Sequence, residues 1–406
     1  MGRSPVRIRR RQYSLDERRC VSGVLSRPCL ALVIPGKGIF SLLGLMQRAI
    51  RLAYRGRFTT SPNPMVGAVV VDRHGTIVGQ GYHRRAGGPH AEIYALRQAG
   101  PAAVGGSLYV TLEPCNHYGR TPPCSEAIVQ AGIQTVHIAT TDPNPKVAGG
   151  GVAYLRNHGI AVTLGELEDE ARSLNRPFIT WSLLGRPMVT VKVACSLDGK
   201  IAGWDPRDRY VSSPESLSFV HDLRRTHDAI LIGVDTLLTD DPTLTYRGKG
   251  FGRDPVRVVL DSQGRTPNQA NVFHSGSHGP TLLYTTQAAS VQWEREMFSV
   301  GGEVIRLPAD AAGQVPLHAV LDDLASRQIL SVLVEAGATI HGAFLQANLV
   351  DQWIGLYSPL LVGSSGLSAI GSILSPSVKA EIIECKRRGP DLMVRAWLQA
   401  LPTRKD

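Results

Sequence analysis

His90, Ala91 and Glu92, followed by Pro114-Cys115 and then Cys124, set one imidazole, two thiols and one carboxylate at spacings that suit a hydrolytic zinc centre. Zinc takes imidazole nitrogen and thiolate sulfur in a tetrahedral arrangement, and a catalytic site keeps its fourth position for water. His90, Cys115 and Cys124 make three ligands, which leaves Glu92 to shuttle protons between that water, a ring nitrogen and a departing ammonia. The chemistry implied is hydrolytic removal of an amino group from a nitrogen heterocycle. Taken singly, the cysteines could be ordinary free thiols and His90 a helix cap; the combination with Glu92 and Pro114 carries the reading. The common zinc-deaminase pattern has two residues between its cysteines, whereas Asn116 to Pro123 stand between these. A loop of that length can still return to one metal, and His117 inside it is expected to shape the pocket rather than to ligate.

Elements of regular structure must hold these groups. Pro89 ahead of His90, with Ile93, Ala95, Leu96 and Ala99 behind it, predicts a helix that begins at the histidine. Residues 107–112 read as a strand that Glu113-Pro114 stops just before Cys115, and a second helix is expected over 125–131 with Cys124 at its mouth. Helix N-termini favour thiolate and hydroxide through the positive end of the dipole. Upstream, Leu43, Met46, Ala49, Ile50 and Ala53 recur at helical spacing, and Pro62-Asn63-Pro64 leads into a continuous apolar strand over 66–71. The turn 72–75 and a partner strand over 77–82 complete a hairpin. Strands over 136–140 and 161–164 flank a helix over 151–157, which makes this half an α/β domain with a mixed sheet. Asn63 either reads a heterocycle edge from its loop or is simply a turn residue between two prolines.

A boundary falls near Leu184-Gly185-Arg186-Pro187, after which alternation restarts. Strands are predicted over 188–194, 229–232, 256–260, 281–285 and 329–334, with helices over 215–226 and 339–347. The strand that runs through Glu335-Ala336-Gly337-Ala338 into a helix is an anion-binding geometry suited to a cofactor phosphate. Neither G-x-G-x-x-G nor a P-loop occurs in the chain, so a standard Rossmann or triphosphatase reading lacks its main support. Lys192, Lys200, Arg224 and Arg247 are candidate phosphate partners.

The chain has 406 residues, 43% of them hydrophobic and 19% charged, which suits two soluble globular domains. Its net charge of +10 is local: nine Lys and Arg stand against Asp16 and Glu17 in residues 1–38, which supply +7 of it. The body is then nearly balanced, which argues against a nucleic-acid partner. No segment offers the roughly 20 apolar residues of a spanning helix. Cys20, Cys29, Cys195 and Cys385 show no paired spacing, so a reducing, cytoplasmic compartment is expected. The expected organisation is a basic, disordered extension over 1–39, or an over-extended start of translation, with a targeting peptide as the alternative. A zinc domain over 40–185 and a second α/β domain over 186–402 follow.

Several motifs carry a resemblance. Thr59-Thr60-Ser61-Pro62-Asn63-Pro64, Pro89-His90-Ala91-Glu92, Leu112-Glu113-Pro114-Cys115, Gly119-Arg120-Thr121-Pro122-Pro123-Cys124 and Asp142-Pro143-Asn144-Pro145 resemble the deaminase half of the bifunctional riboflavin-biosynthesis deaminase/reductase family. Ser196-Leu197-Asp198-Gly199-Lys200, Asp240-Asp241-Pro242, Leu244-Thr245 and Val334-Glu335-Ala336-Gly337 resemble its reductase half, and the wide cysteine spacing is the family's own. The resemblance implies a cytidine-deaminase-like zinc domain followed by a dihydrofolate-reductase-like domain that uses NADPH. It implies deamination of a diaminopyrimidinone carrying a phosphoribosylamino group, then reduction of the ribosyl group to ribityl, in a homo-oligomer with neither nucleic acid nor membrane as partner.

Position by position, the resemblance assigns the cofactor to Ala194, Tyr210, Thr236, Asp240, Ser262 and the turn Gly337, Ala338, Thr339, Ile340, His341, Gly342 and Ala343. It assigns substrate contacts to Asp208, Arg224, Leu244, Arg247 and Glu335, to which the loop chemistry adds Asn63, with Lys192 and Glu335 handling sugar hydroxyls or a proton. Departures from the family pattern are Tyr210 for Trp, Ala338 for Pro, Asn116 for Ser and Tyr118 for His. The rival reading is a deaminase of nucleobases or nucleic-acid bases with a C-terminal ligand-binding or targeting domain.

Overall fold

A computed structural model describes residues 42–403, apart from 119–121, 145–148, 204–210, 249–251, 275, 277–278, 372–373 and 375. The basic extension and the expected site positions Asp208 and Tyr210 lie outside the described residues. Ser41–Asp406 form one compact unit built on two main sheets.

The first sheet consists of β1 (Gly67–Val71), β2 (Ile77–Tyr82), β3 (Ser107–Val110), β4 (Thr135–Ile138) and β5 (Ala161–Leu164), in the order β2-β1-β3-β4-β5. β1 runs antiparallel to β2 and β3, and β3, β4 and β5 are parallel, which is the mixed sheet expected. β1 is apolar throughout because both its faces are covered. Helix α1 (Leu42–Ala53) packs Met46 and Ala49 against Val69 and Val71. Helices α2 (Ala91–Ala99), α3 (Cys124–Gln130) and α4 (Gly150–Asn157) cover Ala68 and Val70 from the other side. α2 lies backbone to backbone on β2: a Cβ on Gly81 would sit 2.2 Å from the Ala91 carbonyl oxygen. That close approach fixes the start of α2, and with it His90.

Helices α5 (Glu168–Leu174) and α6 (Arg176–Leu184), which the sequence pattern does not predict, clasp the first sheet to the second half. Buried Asn175 exchanges two hydrogen bonds with the Met65 backbone at 2.8 Å, and Trp181 Nε1 donates to the Ala325 carbonyl at 3.1 Å. Where the boundary was expected, Arg186 makes a bidentate ion pair with buried Asp351 at 2.7 and 2.9 Å.

The second half contains β6 (Met188–Ser196), β7 (Lys200–Ala202), α7 (Pro214–Thr226), β8 (Ala229–Gly233), α8 (Val234–Asp240), β9 (Val256–Leu260), α9 (Asn271–His274), β10 (Thr281–Thr285) and α10 (Val291–Ser299). It continues with β11 (Gly302–Arg306), α11 (Leu317–Ser326), β12 (Ser331–Val334), α12 (Ala338–Gln346), β13 (Gln352–Ser358), β14 (Leu367–Ser368), β15 (Glu381–Arg388) and β16 (Asp391–Trp397). Nine strands form one sheet in the order β11-β10-β9-β8-β12-β6-β13-β16-β15, while β7 and β14 pair separately. From β11 to β13 all neighbours are parallel; β16 and β15 close one side as an antiparallel hairpin. Two apolar clusters, one around Tyr284 and Phe344 and one around Leu244 and Trp293, cover its faces. In such a sheet ligands gather outside the carboxyl ends of the strands. No helix among the described residues is long and apolar enough to cross a membrane.

Candidate active sites

The first site forms where α2 and α3 begin side by side. His90 is the N-cap of α2 and Cys124 the first residue of α3, while Cys115 lies in the loop that follows β3. One ligand atom from each of His90, Cys115 and Cys124 lies within 4.8 Å of the others, with His90 Nδ1 3.2 Å from Cys124 Sγ and 3.5 Å from Cys115 Sγ. The ten-residue return predicted from the spacing is therefore made. The Cys124 backbone N–H donates to Cys115 Sγ at 3.4 Å. Hydrogen bonds from Cys124, with His90 beside them, outweigh burial and pull the Cys115 thiol down to about 4. Cys124, buried against that sulfur, is pushed up. His117 is exposed and outside the cluster.

Glu92 is 3% exposed in the first turn of α2, and burial pushes its carboxyl up to about 7 against the pull of His90. Its Oε2 finds no hydrogen-bond partner, an orphan that a structural site would not retain. One nitrogen and two sulfurs with an unspent carboxylate oxygen fit zinc with an open position. Two neighbours that the sequence reading did not single out complete the pocket. His83 is buried and edge-on to His90; Asn63 Nδ2 donates to His83 Nε2 at 3.2 Å, and His83 Nδ1 donates to the Pro89 carbonyl at 3.1 Å. Asn63 is thus held by a histidine and turns its carboxamide oxygen elsewhere. The only sequence signal for His83 was a histidine at the end of a hairpin strand. Glu113 is buried and accepts backbone N–H bonds from Asp142, Gly149 and Val152 at 3.0–3.2 Å, which ties the Asp142 turn to the cysteine loop.

The second site lies at the carboxyl ends of β6, β8, β9 and β12. Glu335, just after β12, accepts from Arg224 at 3.0 and 3.1 Å and from Lys192 at 3.2 Å, with 7% of its side chain exposed. Burial pushes the Glu335 carboxyl up, but the two cations together outweigh it and hold it at about 2. Arg224, read from sequence as a phosphate partner, is therefore engaged by a carboxylate. Arg247 is exposed, bonds to Thr243, and faces no carboxylate among the described residues.

Of the expected cofactor residues, Thr236 and Gly337 adjoin: a Cβ on Gly337 would lie 3.9 Å from the Thr236 hydroxyl oxygen. Gly337 is the N-cap of α12, and no side chain caps that end, so its first amides have no side-chain acceptor. Ala338 occupies the first helical position, where a Pro would also fit. These observations fit a bound dinucleotide phosphate. His341 is 1% exposed, with Nδ1 donating to the Ala369 carbonyl, and burial pulls it down to about 4. Ser262 spends its hydroxyl on Gln314 and the Val315 N–H, and Leu244 buries its side chain in the core with a left-handed backbone at φ 54°. Leu244 can therefore reach a ligand only through its backbone. Asp240 is the exposed last residue of α8.

Comparison with known proteins matches both halves. Residues 42–140 fit the cytidine and deoxycytidylate deaminase zinc-binding region, and residues 187–394 fit the RibD C-terminal domain. The riboflavin biosynthesis protein RibD of Escherichia coli is 41% identical over 364 residues, 86% of this chain and 96% of that protein. The chain belongs to the RibD family. Its RibD relative from Aquifex aeolicus is 40% identical over 353 residues, with the same coverage. Solved structures agree: Acinetobacter baumannii RibD has a TM-score of 0.79 at 36% identity, covering 87% of this chain and 98% of that one. The Thermotoga maritima diaminohydroxyphosphoribosylaminopyrimidine deaminase/5-amino-6-(5-phosphoribosylamino)uracil reductase has a TM-score of 0.75 at 38% identity with the same coverage. As a RibD, the protein is a bifunctional deaminase and reductase of riboflavin biosynthesis, with zinc as the cofactor of the first half and NADPH of the second. Family membership decides for this reading over a nucleic-acid-base deaminase.

Proposed function

We propose that the first site removes the exocyclic amine of 2,5-diamino-6-(5-phosphoribosylamino)pyrimidin-4(3H)-one, and that the second reduces the ribosyl group of the resulting aminouracil to ribityl. The observation that carries the first step is the His90, Cys115 and Cys124 cluster with the partnerless Glu92 oxygen beside it. Zinc held by those three residues supplies the Lewis acidity that makes water nucleophilic near neutral pH. Glu92 would carry one proton from that water to the ring nitrogen and then a second, from the hydroxyl newly bonded to carbon, to the amine, so that the C–N bond breaks, the carbonyl forms and ammonia leaves. Asn63, aimed by His83, offers its carboxamide oxygen to the heterocycle edge.

In the second site NADPH supplies the hydride. Ala194, Thr236, Asp240, Ser262 and the turn from Gly337 to Ala343 would hold it, and the substrate would meet the Leu244 backbone, Arg247 and the Arg224–Glu335–Lys192 trio. Arg247, which faces no carboxylate among the described residues, is the hand for the phosphate. Lys192, held by Glu335, delivers the proton that accompanies the hydride as the sugar opens. The test is a coupled assay on the zinc-loaded protein: ammonia release from the diaminopyrimidinone without NADPH, and NADPH oxidation only once the deaminated product is present. Absence of both would sink the proposal.

Domain limits of 40–185 and 186–402, cytoplasmic location and homo-oligomerisation belong to the same proposal. Four free cysteines among the described residues suit a reducing compartment. For the oligomer, β15 is the supporting feature, an eight-residue edge strand with Ile382 67% and Ile383 41% exposed. Glu381 and Glu384 fill its first half and Lys386, Arg387 and Arg388 its second, so an antiparallel copy would set acids against bases. Ile382→Lys is expected to halve the mass seen in sedimentation without disturbing the first site's zinc content; an unchanged mass would remove β15 as the interface.

A further inference from the structure

Away from both sites, a concave groove of about 400 Å3 runs along the free edge of β2, lined by Leu52, Arg55, Gln80, Tyr82, Arg84 and Gln98 among others. Its polar chemistry is one-sided. Arg55 and Arg84 both hold their guanidinium groups over the Tyr82 ring, 5.0 and 5.8 Å from its centre, and Arg84 also lies 4.2 Å from the Tyr94 ring centre. Neither arginine meets a carboxylate among the described residues. Gln80 Oε1 already accepts from Arg48 Nε at 2.6 Å, and Gln98 Oε1 from the Gln80 backbone N–H at 2.9 Å. Each carboxamide oxygen thus already holds one donor, while both Nε2 groups can donate into the groove. Between Leu42 and Gly100 the acids are Asp72, in the β1–β2 turn, and Glu92, buried at the first site. Charge balance over the whole body conceals this local excess of arginine.

From this groove we infer a third ligand site, which takes a phosphorylated small molecule of about nucleotide size. Two guanidinium forks with only aromatic partners match a phosphate's oxygens. Leu52 and the Tyr82 ring give an apolar wall for whatever the phosphate is attached to, in a volume larger than a phosphate ion needs. Concavity favours a small ligand over a polyanion, which would track an extended surface.

The groove backs directly onto α2. Gly81 of β2 lies against Ala91, the residue after His90, so an occupant would sit behind the first site rather than in it.

Calorimetric titration of the full-length, zinc-loaded protein with a nucleoside monophosphate, and separately with inorganic phosphate, tests the site. Arg55→Ala/Arg84→Ala is expected to lose one equivalent of monophosphate binding while KM and kcat of both reactions stay within twofold. Inorganic phosphate should compete at that equivalent, and binding should weaken as salt is raised. Unchanged stoichiometry in the double variant overturns the inference. So does a tenfold rise in the deamination KM, which would make the groove part of the first site. Displacement of the monophosphate by a short RNA, or a change of oligomeric state in the variant, would reassign the groove to a polyanion or to a second copy. Arg55→Lys/Arg84→Lys, which keeps the charge and loses the fork, should bind at least tenfold more weakly than the parent while melting at the same temperature.

Discussion

Glu92→Gln is expected to lower the rate of ammonia release by about 10²–10⁴-fold, the range typical of a lost general acid–base, while the protein keeps its zinc. The substitution preserves shape, so the packing of α2 on β2 that positions His90 is untouched. What it removes is a group that can both accept and donate a proton. Glu92 is not among the three residues whose donor atoms converge, and its Oε2 has no partner to lose. Metal content per chain measured alongside ammonia release separates two roles. Zinc retained with activity lost assigns Glu92 to proton transfer. Zinc lost with activity would make Glu92 a ligand, and activity retained would end its candidacy altogether. The reductase, supplied with the aminouracil, should run at the parent rate, because Glu92 lies on α2 over the first sheet and Glu335 just past β12 of the second.

The first site was largely legible in the chain because its chemistry is local. His90 and Glu92 share one helical turn and Cys124 opens α3, so residue type and spacing alone pick out the donor atoms that the fold brings together. The wide cysteine interval hid nothing, since Ser125, the residue after Cys124, donates its N–H to the Cys115 carbonyl and closes the loop. His83 was not legible: nothing in its sequence surroundings says that it reaches Asn63 and His90, and that fact exists only once β2 lies beside α2.

The second half was readable as alternating strands and helices, but its assembly was not. β12 inserts between β8 and β6, and β13 pairs with β6 more than 150 residues upstream. Such pairings are set by packing over the whole sheet rather than by local pattern. β15 escaped prediction for the opposite reason: an exposed edge strand with charges on both faces has no buried side to impose alternation. Arg224 shows the same limit at a single residue. Its type and helix position suggested a phosphate hand, yet its partner Glu335 lies 111 residues away and takes two of its hydrogen bonds.

That trio supports the second large prediction. Glu335→Gln should abolish ribosyl reduction and cost about 3–5 kcal/mol of stability, the usual result when one member of a buried charge cluster is neutralised and the rest are left behind. Here Arg224 and Lys192 would both lose the carboxylate they share. The pH dependence has a definite sign. Glu335 is held at about 2, below the ordinary 4.5, so the stability it contributes is complete above about pH 4.5 and is lost as pH falls towards 2. The gap in unfolding free energy between parent and Glu335→Gln should therefore be constant at higher pH and narrow below about 4.5. A gap that stays flat to pH 2.5 would show that Glu335 does not act there through its charge. Lys192→Met separates structure from chemistry, because the bidentate Arg224–Glu335 pair survives it. That variant should keep most of its stability and lose at least 10²-fold in NADPH oxidation if Lys192 carries the proton. Full reductase activity in both variants would leave the trio a purely structural clamp, and the proton donor would have to be sought on another face of the cleft.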